Sequence, residues 1–386
     1  MTRRMPLIYL VACEPSADAI GAQLMEALRA ETDGRARFMG IGGARMTAAG
    51  LKTLFDPREL ALLGIFEVIP AYKRVLARVQ ETIDDLTARN PDVLVTIDSW
   101  GFTGRIHERL AKGGNLVPRV RYVAPQVWAW RPGRAKQLAH WINHLLTLFP
   151  FEPQYFTPHG LATTWVGHPV IESGADRGDA GAFRRRHGIA PEALVLSVLP
   201  GSRPAEVKRL LPIFKRAVAL LADRYGNLST VIPTVGTVAE LVREGTREWP
   251  APVVVVDESE IYDAFAASRA ALAASGTVSL ELAMAGVPHV IAYRVNALSA
   301  FAFRRLAKTR FVNLINVLLV RMAVPELLQD DCEPEILAAA IAPLLAPGNT
   351  AELQRADFKE ALAKLAPPEG SPSRLAARTV LKLIHA

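Results

Sequence analysis

The chain has 386 residues, half of them hydrophobic and 22% charged, which excludes disorder as its main state and leaves room for two ordinary domains. Its two cysteines, Cys13 and Cys332, are too few for a disulfide framework or a cysteine-rich zinc site. A formal net charge of +7 favours anionic partners, namely phosphorylated small molecules, nucleic acid or an anionic membrane surface.

Short apolar runs alternate with helical stretches through the first part of the chain. Residues 7–13 predict a buried strand, and residues 19–30 predict an amphipathic helix. The run at 93–97 is apolar on both faces, as strands of buried parallel sheets are. Further strands are predicted at 36–41, 120–123 and 145–148. This alternation predicts a doubly wound parallel sheet.

The pattern lapses at 167–178, which we interpret as a linker, and then restarts. Strands are predicted at 194–199, 230–233, 253–256, 270–274 and 289–292, followed by a helical tail. The sequence therefore predicts an α/β protein with two Rossmann-like doubly wound domains facing across a cleft. We expect an N-terminal domain at 1–168 and a C-terminal domain at 169–345. The C-terminal helices at 346–386 are expected to pack back on the N-terminal domain.

Two small-residue turns follow predicted strands of the second domain, where parallel sheets bind ligands. They consist of Gly201, Ser202 and Arg203, and of Ser275, Gly276 and Thr277. Free backbone N–H groups at such turns can hold phosphate oxygens, and the fork of Arg203 suits phosphate. Each turn could alternatively be an ordinary strand-to-helix connection with a Ser or Thr cap, but the presence of both favours a diphosphate site.

Glu281 lies one helical turn beyond Thr277 and on the same helix face. A carboxylate there can accept both hydroxyls of a ribose whose phosphates rest on the turn. The alternative is a solvated helix glutamate, but its apolar neighbours indicate a largely buried helix, and a buried acid needs a partner.

Acidic residues also follow strands of the first domain. Asp98 ends the most apolar strand and is a candidate general base, with a helix N-cap as the alternative. Glu14, Ser16 and Asp18 follow the first strand and are expected to face the same cleft. Ser16 or Asp18 could instead cap the next helix.

Residues 122–131 place two tryptophans and an arginine in one loop after a strand. Trp128 fits either the core or an aromatic wall of the cleft, and His168 at the linker fits either a structural or a ligand-binding role. The sequence contains no Asp-x-Asp triplet, which argues against a metal-bridged diphosphate. We therefore expect no metal and no cofactor.

An apolar segment at 60–70 precedes a basic amphipathic stretch at 71–79. This combination is typical of an element that lies in a membrane surface, and a core-packed loop and helix is the alternative. The sequence has no stretch of about 18 uninterrupted apolar residues, so no transmembrane helix is predicted.

Taken in this order, these motifs resemble those of the lipid-A-disaccharide synthase family of inverting glycosyltransferases over nearly the whole chain. The matching stretches are 14–18, 40–43, 63–68, 97–99, 122–131, 150–152, 166–169, 199–203, 274–277 with Glu281, 293–294, Asn316 and 326–329. The Val-Trp-Ala-Trp-Arg run at 127–131 and the turn at Arg203 are the most specific of them.

The resemblance implies a GT-B fold and a metal-independent transfer. It also implies that the N-terminal domain, 1–168, binds the acceptor and that the C-terminal domain, 169–345, binds the UDP-sugar. The implied donor is UDP-2,3-diacylglucosamine and the implied acceptor is 2,3-diacylglucosamine 1-phosphate, giving a β-1,6-linked disaccharide 1-phosphate and UDP. Asp98 matches the acid that activates the acceptor hydroxyl, and Arg203 and Asn316 match positions associated with activity. The family also implies a cytoplasmic enzyme peripherally associated with the inner membrane, with homo-oligomerisation left open.

Two alternatives remain at this stage. One is another UDP-sugar enzyme of GT-B fold, including a UDP-N-acetylglucosamine 2-epimerase, and the other is a catalytically silent lipid-binding homologue. The silent homologue is favoured only by Ala17, where the family usually has Gly, and by Gly101, where a second acid is common. A nucleic-acid partner is not expected because no basic face interleaved with aromatic residues is evident beyond residues 128–131.

Overall fold

The computed structural model describes residues 5–61, 68–274, 276–295 and 309–384. The chain divides into two compact units. The first runs to Pro169 and takes in the chain again from Leu365, and the second comprises Val170–Lys364.

The first unit is built on a seven-stranded sheet in which every pair of neighbouring strands is parallel. Its strand order is β3-β2-β1-β4-β5-β6-β7. The strands are β1 (Leu7–Ala12), β2 (Arg37–Ile41), β3 (Lys52–Thr53), β4 (Val93–Ile97), β5 (Arg119–Tyr122), β6 (His144–Thr147) and β7 (Ala162–Trp165). The order reverses between β1 and β4, the topological switch point where Rossmann-like sheets bind ligands.

Helices connect these strands. They are α1 (Pro15–Glu31), α2 (Ala44–Ala48), α3 (Arg58–Ala61), α4 (Val68–Arg89), α5 (Trp100–Lys112), α6 (Gly133–Trp141) and, from the end of the chain, α15 (Pro372–Ile384). Short 3₁₀ helices of this unit occupy Pro153–Tyr155 and Thr157–His159. The small buried residues Ala376 and Ala377 allow α15 to pack closely on α1, and Arg374 and Arg378 of α15 bind Glu31 at the end of α1.

The second unit repeats the same topology with six parallel strands in the order β10-β9-β8-β11-β12-β13. The strands are β8 (Leu194–Leu199), β9 (Leu228–Pro233), β10 (Val253–Val256), β11 (Ala270–Ala274), β12 (His289–Tyr293) and β13 (Glu326–Leu328). Its largest buried cluster joins these strands to α8 and α13, through Leu196, Phe214 and Ile341 among others.

Helices also connect the strands of the second unit. They are α7 (Ala180–Arg186), α8 (Pro204–Arg224), α9 (Ala239–Gly245), α10 (Ile261–Ala267), α11 (Val278–Met284), α12 (Leu314–Leu319), α13 (Pro334–Leu345) and α14 (Asn349–Ala363). Further 3₁₀ helices occupy Pro169–Glu172, Ala175–Arg177, Glu258–Glu260 and Gln329–Asp331.

The predicted α/β class with two doubly wound sheets is confirmed. Strands β3, β7 and β13 were not expected, because β3 has two residues, β7 is the polar run Ala-Thr-Thr-Trp, and β13 has three residues. The C-terminal helices divide between the units: α14 packs against α11 and α12 of the second unit, whereas α15 packs on α1 of the first. The first helix begins at Pro15, four residues before its predicted start, since proline is favoured in a first helical turn.

Candidate functional site

In the first unit, Asp98 emerges directly from the buried strand β4. Asp98 and Ser99 both have left-handed backbone conformations, with φ of 52° and 49°, which cost energy for residues other than glycine. The side chain of Asp98 is 45% exposed, and the N-cap position of α5 belongs to Ser99. The exposed carboxylate of Asp98 is therefore available for chemistry at the carboxyl edge of the sheet.

Behind Asp98 lies Arg121, whose guanidinium is completely buried. Its Nε donates to the Val123 carbonyl at 3.0 Å and its Nη1 donates to the Thr103 hydroxyl at 2.8 Å. Its Nη2 lies 3.9 Å from Asp98 Oδ1 and has no hydrogen-bond partner among the described residues. Burial lowers the pKa of Arg121 to about 10, opposed by the Asp98 charge, so the guanidinium stays charged at neutral pH. Sequence reasoning missed Arg121; a charged residue between the apolar Val120 and Tyr122 of a predicted strand was the available signal.

The acids and hydroxyl after β1 have separate environments. Glu14 is exposed and accepts a hydrogen bond from the Ser99 hydroxyl at 3.2 Å, which places it beside the Asp98 loop. Ser16 is exposed in the first turn of α1. Asp18 is buried, and its carboxylate accepts backbone N–H groups at 2.8–3.1 Å from Gly43, Arg45 and Met46. Asp18 thus holds the start of α2 rather than presenting a group to a ligand.

The two family departures differ in their surroundings. Ala17 is buried in the first turn of α1. Gly101 is exposed, and a Cβ placed there would meet no atom within 4 Å. The absence of an acidic side chain at Gly101 is therefore not imposed by packing within the described residues.

Trp128 packs within the first unit. Its ring meets Phe151 edge to face at 5.4 Å, and its buried indole N–H has no hydrogen-bond partner among the described residues. Glu152 accepts the N–H groups of Leu148 and Phe149 at 3.0 Å each, and burial raises its pKa to about 7. His168, also buried, has a pKa lowered by burial to about 4, so its ring is neutral.

In the second unit, Gly201 and Arg203 follow β8. Gly201 has a φ of 111°, and a Cβ on it would lie 2.6 Å from Glu206 Oε2, so glycine is required by both conformation and space. Arg203 is 71% exposed, and its Nη1 donates to Glu206 Oε1 at 2.9 Å. Glu206 also accepts from the Tyr293 hydroxyl at 3.0 Å and the Ser202 N–H at 3.3 Å. Glu206 was not predicted as a site residue, although it orients Arg203.

The second predicted turn follows β11, the neighbour of β8 in the sheet. Ser275 lies outside the described residues. Gly276 and Thr277 are exposed, and Thr277 occupies the N-cap position of α11 without a side-chain capping bond. Glu281 is half-buried on α11 and accepts the Tyr262 hydroxyl at 3.2 Å. The adjacency of β8 and β11 places both turns at one edge of the sheet.

Asn316, which matches a family position associated with activity, is completely buried in α12. Its Oδ1 accepts the N–H groups of Ala323 and Val324 at 2.8 Å, and its Nδ2 donates to the Val324 carbonyl and to Glu326. The polar atoms of the Asn316 side chain are thus all hydrogen-bonded to the segment that leads from α12 into β13. An effect of Asn316 on activity would therefore act through the local fold.

The family model described as lipid-A-disaccharide synthetase matches residues 8–379. The chain belongs to this family. A lipid-A-disaccharide synthase of Rhodospirillum centenum is 50% identical over 379 residues, covering 98% of this chain and 94% of the relative. The synthase of Paramagnetospirillum magneticum is 50% identical over 381 residues, covering 98% of each.

Solved structures share the fold at low identity. UDP-GlcNAc 2-epimerase from Neisseria meningitidis, bound to UDP-GlcNAc, superposes with a TM-score of 0.62 at 12% identity, covering 97% of this chain and 99% of that one. MurG of Acinetobacter baumannii has a TM-score of 0.56 at 14% identity, covering 98% and 99%. The fold is GT-B, as expected. Since epimerases share it, family membership rather than the fold identifies this chain as a glycosyltransferase of lipid A biosynthesis, acting on UDP-sugar and lipid substrates.

No single helix among the described residues is long and apolar enough to cross a membrane, although α13 and α14, bent by 87°, would pass by length and composition together. Part of the predicted membrane-surface segment, 62–67, lies outside the described residues. In α4, Val75 and Val79 pack on the core of the first unit, whereas Tyr72, Lys73 and Arg74 are exposed. No group of three His, Cys, Asp or Glu side chains suited to a metal occurs in the described part of the chain.

Proposed function

We propose that this glycosyltransferase moves 2,3-diacylglucosamine from its UDP derivative to 2,3-diacylglucosamine 1-phosphate. The products are the β-1,6-linked disaccharide 1-phosphate and UDP. The observation that carries this assignment is Asp98, an exposed carboxylate at the end of β4 in a chain 50% identical to lipid-A-disaccharide synthases.

Asp98 acts as the general base. Its carboxylate takes the proton of the acceptor's 6-hydroxyl while that oxygen attacks the anomeric carbon of the donor. The new C–O bond forms as the bond from the anomeric carbon to the diphosphate breaks, and UDP leaves with the electron pair. A single displacement inverts the anomeric centre, and no metal is required by these steps.

The second unit binds the donor. The diphosphate lies on the backbone N–H groups of the turns Gly201–Arg203 and Ser275–Thr277, and the ribose hydroxyls are held by Glu281. Arg203 stabilises the negative charge that grows on the leaving diphosphate. Its pairing with Glu206 keeps the guanidinium near the turn before the donor arrives.

The first unit binds the acceptor. Glu14 and Ser16 lie at the end of β1, next to β4, and contribute polar groups near the acceptor. The enzyme works at the cytoplasmic face of the inner membrane as a peripheral protein, with exposed residues of α4 such as Tyr72 and Lys73 towards the lipid.

The test is disaccharide formation from the purified protein and both acylated substrates, followed by mass spectrometry. We expect product from the wild type and a loss of about 10²–10⁴-fold in kcat for Asp98→Asn, with UDP binding retained. Asp84→Asn, an isosteric change at an exposed α4 acid bonded to Gln80, is the matched control. Equal rates for Asp98→Asn and wild type would remove Asp98 from the mechanism, and no product from folded wild type would refute the reaction.

A further inference from the structure

A group of arginine and tryptophan side chains lies beside Asp98 in the first unit. This arginine–tryptophan cluster consists of Trp100, Trp130, Arg121, Arg131 and Arg134. The guanidinium of Arg134 lies 4.7 Å from the ring centroid of Trp100 and 5.0 Å from that of Trp130. Arg131 lies 4.6 Å from the Trp130 ring, and Arg121 lies 5.4 Å from the Trp100 ring. Stacking of this kind fixes the plane of a guanidinium without using its N–H groups.

The cluster has more positive than negative charge. Asp98 lies 3.9 Å from Arg121, and neither Arg131 nor Arg134 has an acidic partner within 4 Å among the described residues. Burial and the nearby Arg131 charge both lower the pKa of Arg134. Bringing like charges together opposes folding, and a bound anion would offset that cost.

The position of the cluster matches one end of an acceptor sugar. Trp100 is two residues from Asp98, so their Cα atoms are separated by at most about 7 Å, on the order of the width of one sugar ring. In the acceptor, C5, which carries the 6-hydroxymethyl group, and C1, which carries the phosphate, are the two ring carbons that flank the ring oxygen. A base at Asp98 therefore leaves the phosphate within reach of the residues around Trp100.

We propose that Arg131 and Arg134 form the subsite for the 1-phosphate of the acceptor. This inference rests on the proposed function. The planar fork of a guanidinium pairs with two phosphate oxygens, and the stacked indoles hold the two forks in place. Arg121, buried behind Asp98, remains the partner of the base and does not contact the phosphate.

The experiment compares two acceptors at saturating donor: 2,3-diacylglucosamine 1-phosphate and unphosphorylated 2,3-diacylglucosamine. For Arg131→Gln and Arg134→Gln we expect kcat/KM for the phosphorylated acceptor to fall about 10–100-fold, mainly through KM, because charge-assisted hydrogen bonds are lost. The value for the unphosphorylated acceptor should not change. Arg134→Lys should retain part of the preference, and Arg89→Gln, the same charge change at an exposed α4 residue paired with Asp85, should retain all of it.

A second measurement uses inhibition by glucosamine 1-phosphate and by glucosamine. The inhibition constant of the phosphorylated sugar should rise in both glutamine variants, with that of glucosamine unchanged. Equal losses for both acceptors in folded variants would overturn the subsite and leave a packing role for the cluster. Absence of disaccharide from wild type with either acceptor would overturn the proposed function, and the subsite with it.

Discussion

Nη2 of Arg121 lies 3.9 Å from Oδ1 of Asp98, although the two residues are 23 positions apart in the chain. Asp98 follows β4, and Arg121 lies in the neighbouring strand β5, where Ile97 pairs with Tyr122. The buried guanidinium is held by the Val123 carbonyl and the Thr103 hydroxyl, so its position is defined by the fold. It therefore provides a fixed positive charge beside an exposed carboxylate.

Replacement of Arg121 should affect the reaction and the fold to different extents. We expect Arg121→Met to lower kcat by about tenfold or more, because Asp98 loses the charge that orients it. Loss of two hydrogen bonds from a buried group should lower the free energy of unfolding by about 1–3 kcal/mol. Steady-state kinetics and urea denaturation measure the two effects, and UDP affinity, a property of the second unit, should not change. Unaltered kcat in a folded variant would contradict the positioning role.

The role of Arg203 in donor binding can be tested by comparing it with Arg216, another exposed arginine. Arg203→Ala should weaken UDP binding by about 10–100-fold, since a charge-assisted contact to phosphate is lost. Arg216→Ala removes another exposed arginine of α8, paired with Glu335 at 3.4 Å, and should leave UDP binding unchanged. Isothermal titration of UDP into each variant makes the comparison. Similar affinities for the two variants would exclude Arg203 from the donor site.

We expect the buried His289 to make the stability of the second unit decrease at acidic pH. Its Nδ1–H donates to the Val287 carbonyl, and its Nε2 accepts from the Ser279 hydroxyl, which itself accepts from Asn313 Nδ2. These partners require a neutral ring, and burial lowers the pKa of His289 from 6.5 to about 4. The unfolded state binds more protons between these values, so stability should fall as the pH falls from about 6.5 to about 4.

The contribution of His289 to this loss should reach up to about 3 kcal/mol. His289→Gln should make the pH dependence of the free energy of unfolding shallower. Urea denaturation at several pH values separates the slope from any overall destabilisation. An unchanged slope in His289→Gln would show that this ring does not titrate on unfolding.

Gly167 packs closely against residues 365–367, where the chain re-enters the first unit. Its φ is 86°, and a Cβ there would lie 2.8 Å from Pro367 Cδ and 2.9 Å from the Leu365 carbonyl oxygen. Gly188 has a φ of 63° but no atom within 4 Å of such a Cβ. Gly188→Ala should therefore lower the free energy of unfolding by about 1–2 kcal/mol, because alanine disfavours the left-handed conformation. Gly167→Ala should lower it clearly more, because the added methyl group also meets the atoms of 365–367. Equal losses in thermal or urea unfolding would mean that the contact with 365–367 relaxes freely.

Residues that follow strands were predictable because parallel strands place their carboxyl ends at one edge. Asp98, Glu14, Gly201 and Arg203 all lie at such ends. Their partners were not predictable. Glu206 lies only three residues from Arg203, but the Tyr293 hydroxyl that bonds to the same carboxylate comes from β12, far along the chain.

Other residues could not be assigned from sequence because their hydrogen bonds are made with backbone outside their own helix. Asp18 bonds to N–H groups 25 to 28 residues away. Asn316 is used by the turn that leads to β13. The sequence singled out both as candidate site residues, but the folded chain buries the side chains of both.

The sequence by itself determined the two doubly wound sheets and the strand ends that carry the chemistry, because apolar periodicity and turn residues are local signals. Only the tertiary structure decided which polar groups remain available at those ends. Arg121 lies buried beside Asp98, whereas the side-chain oxygens of Asp18 and Asn316 accept hydrogen bonds from backbone N–H groups. Burial and hydrogen-bond partners depend on segments far apart in the chain, and local pattern does not specify which segments meet.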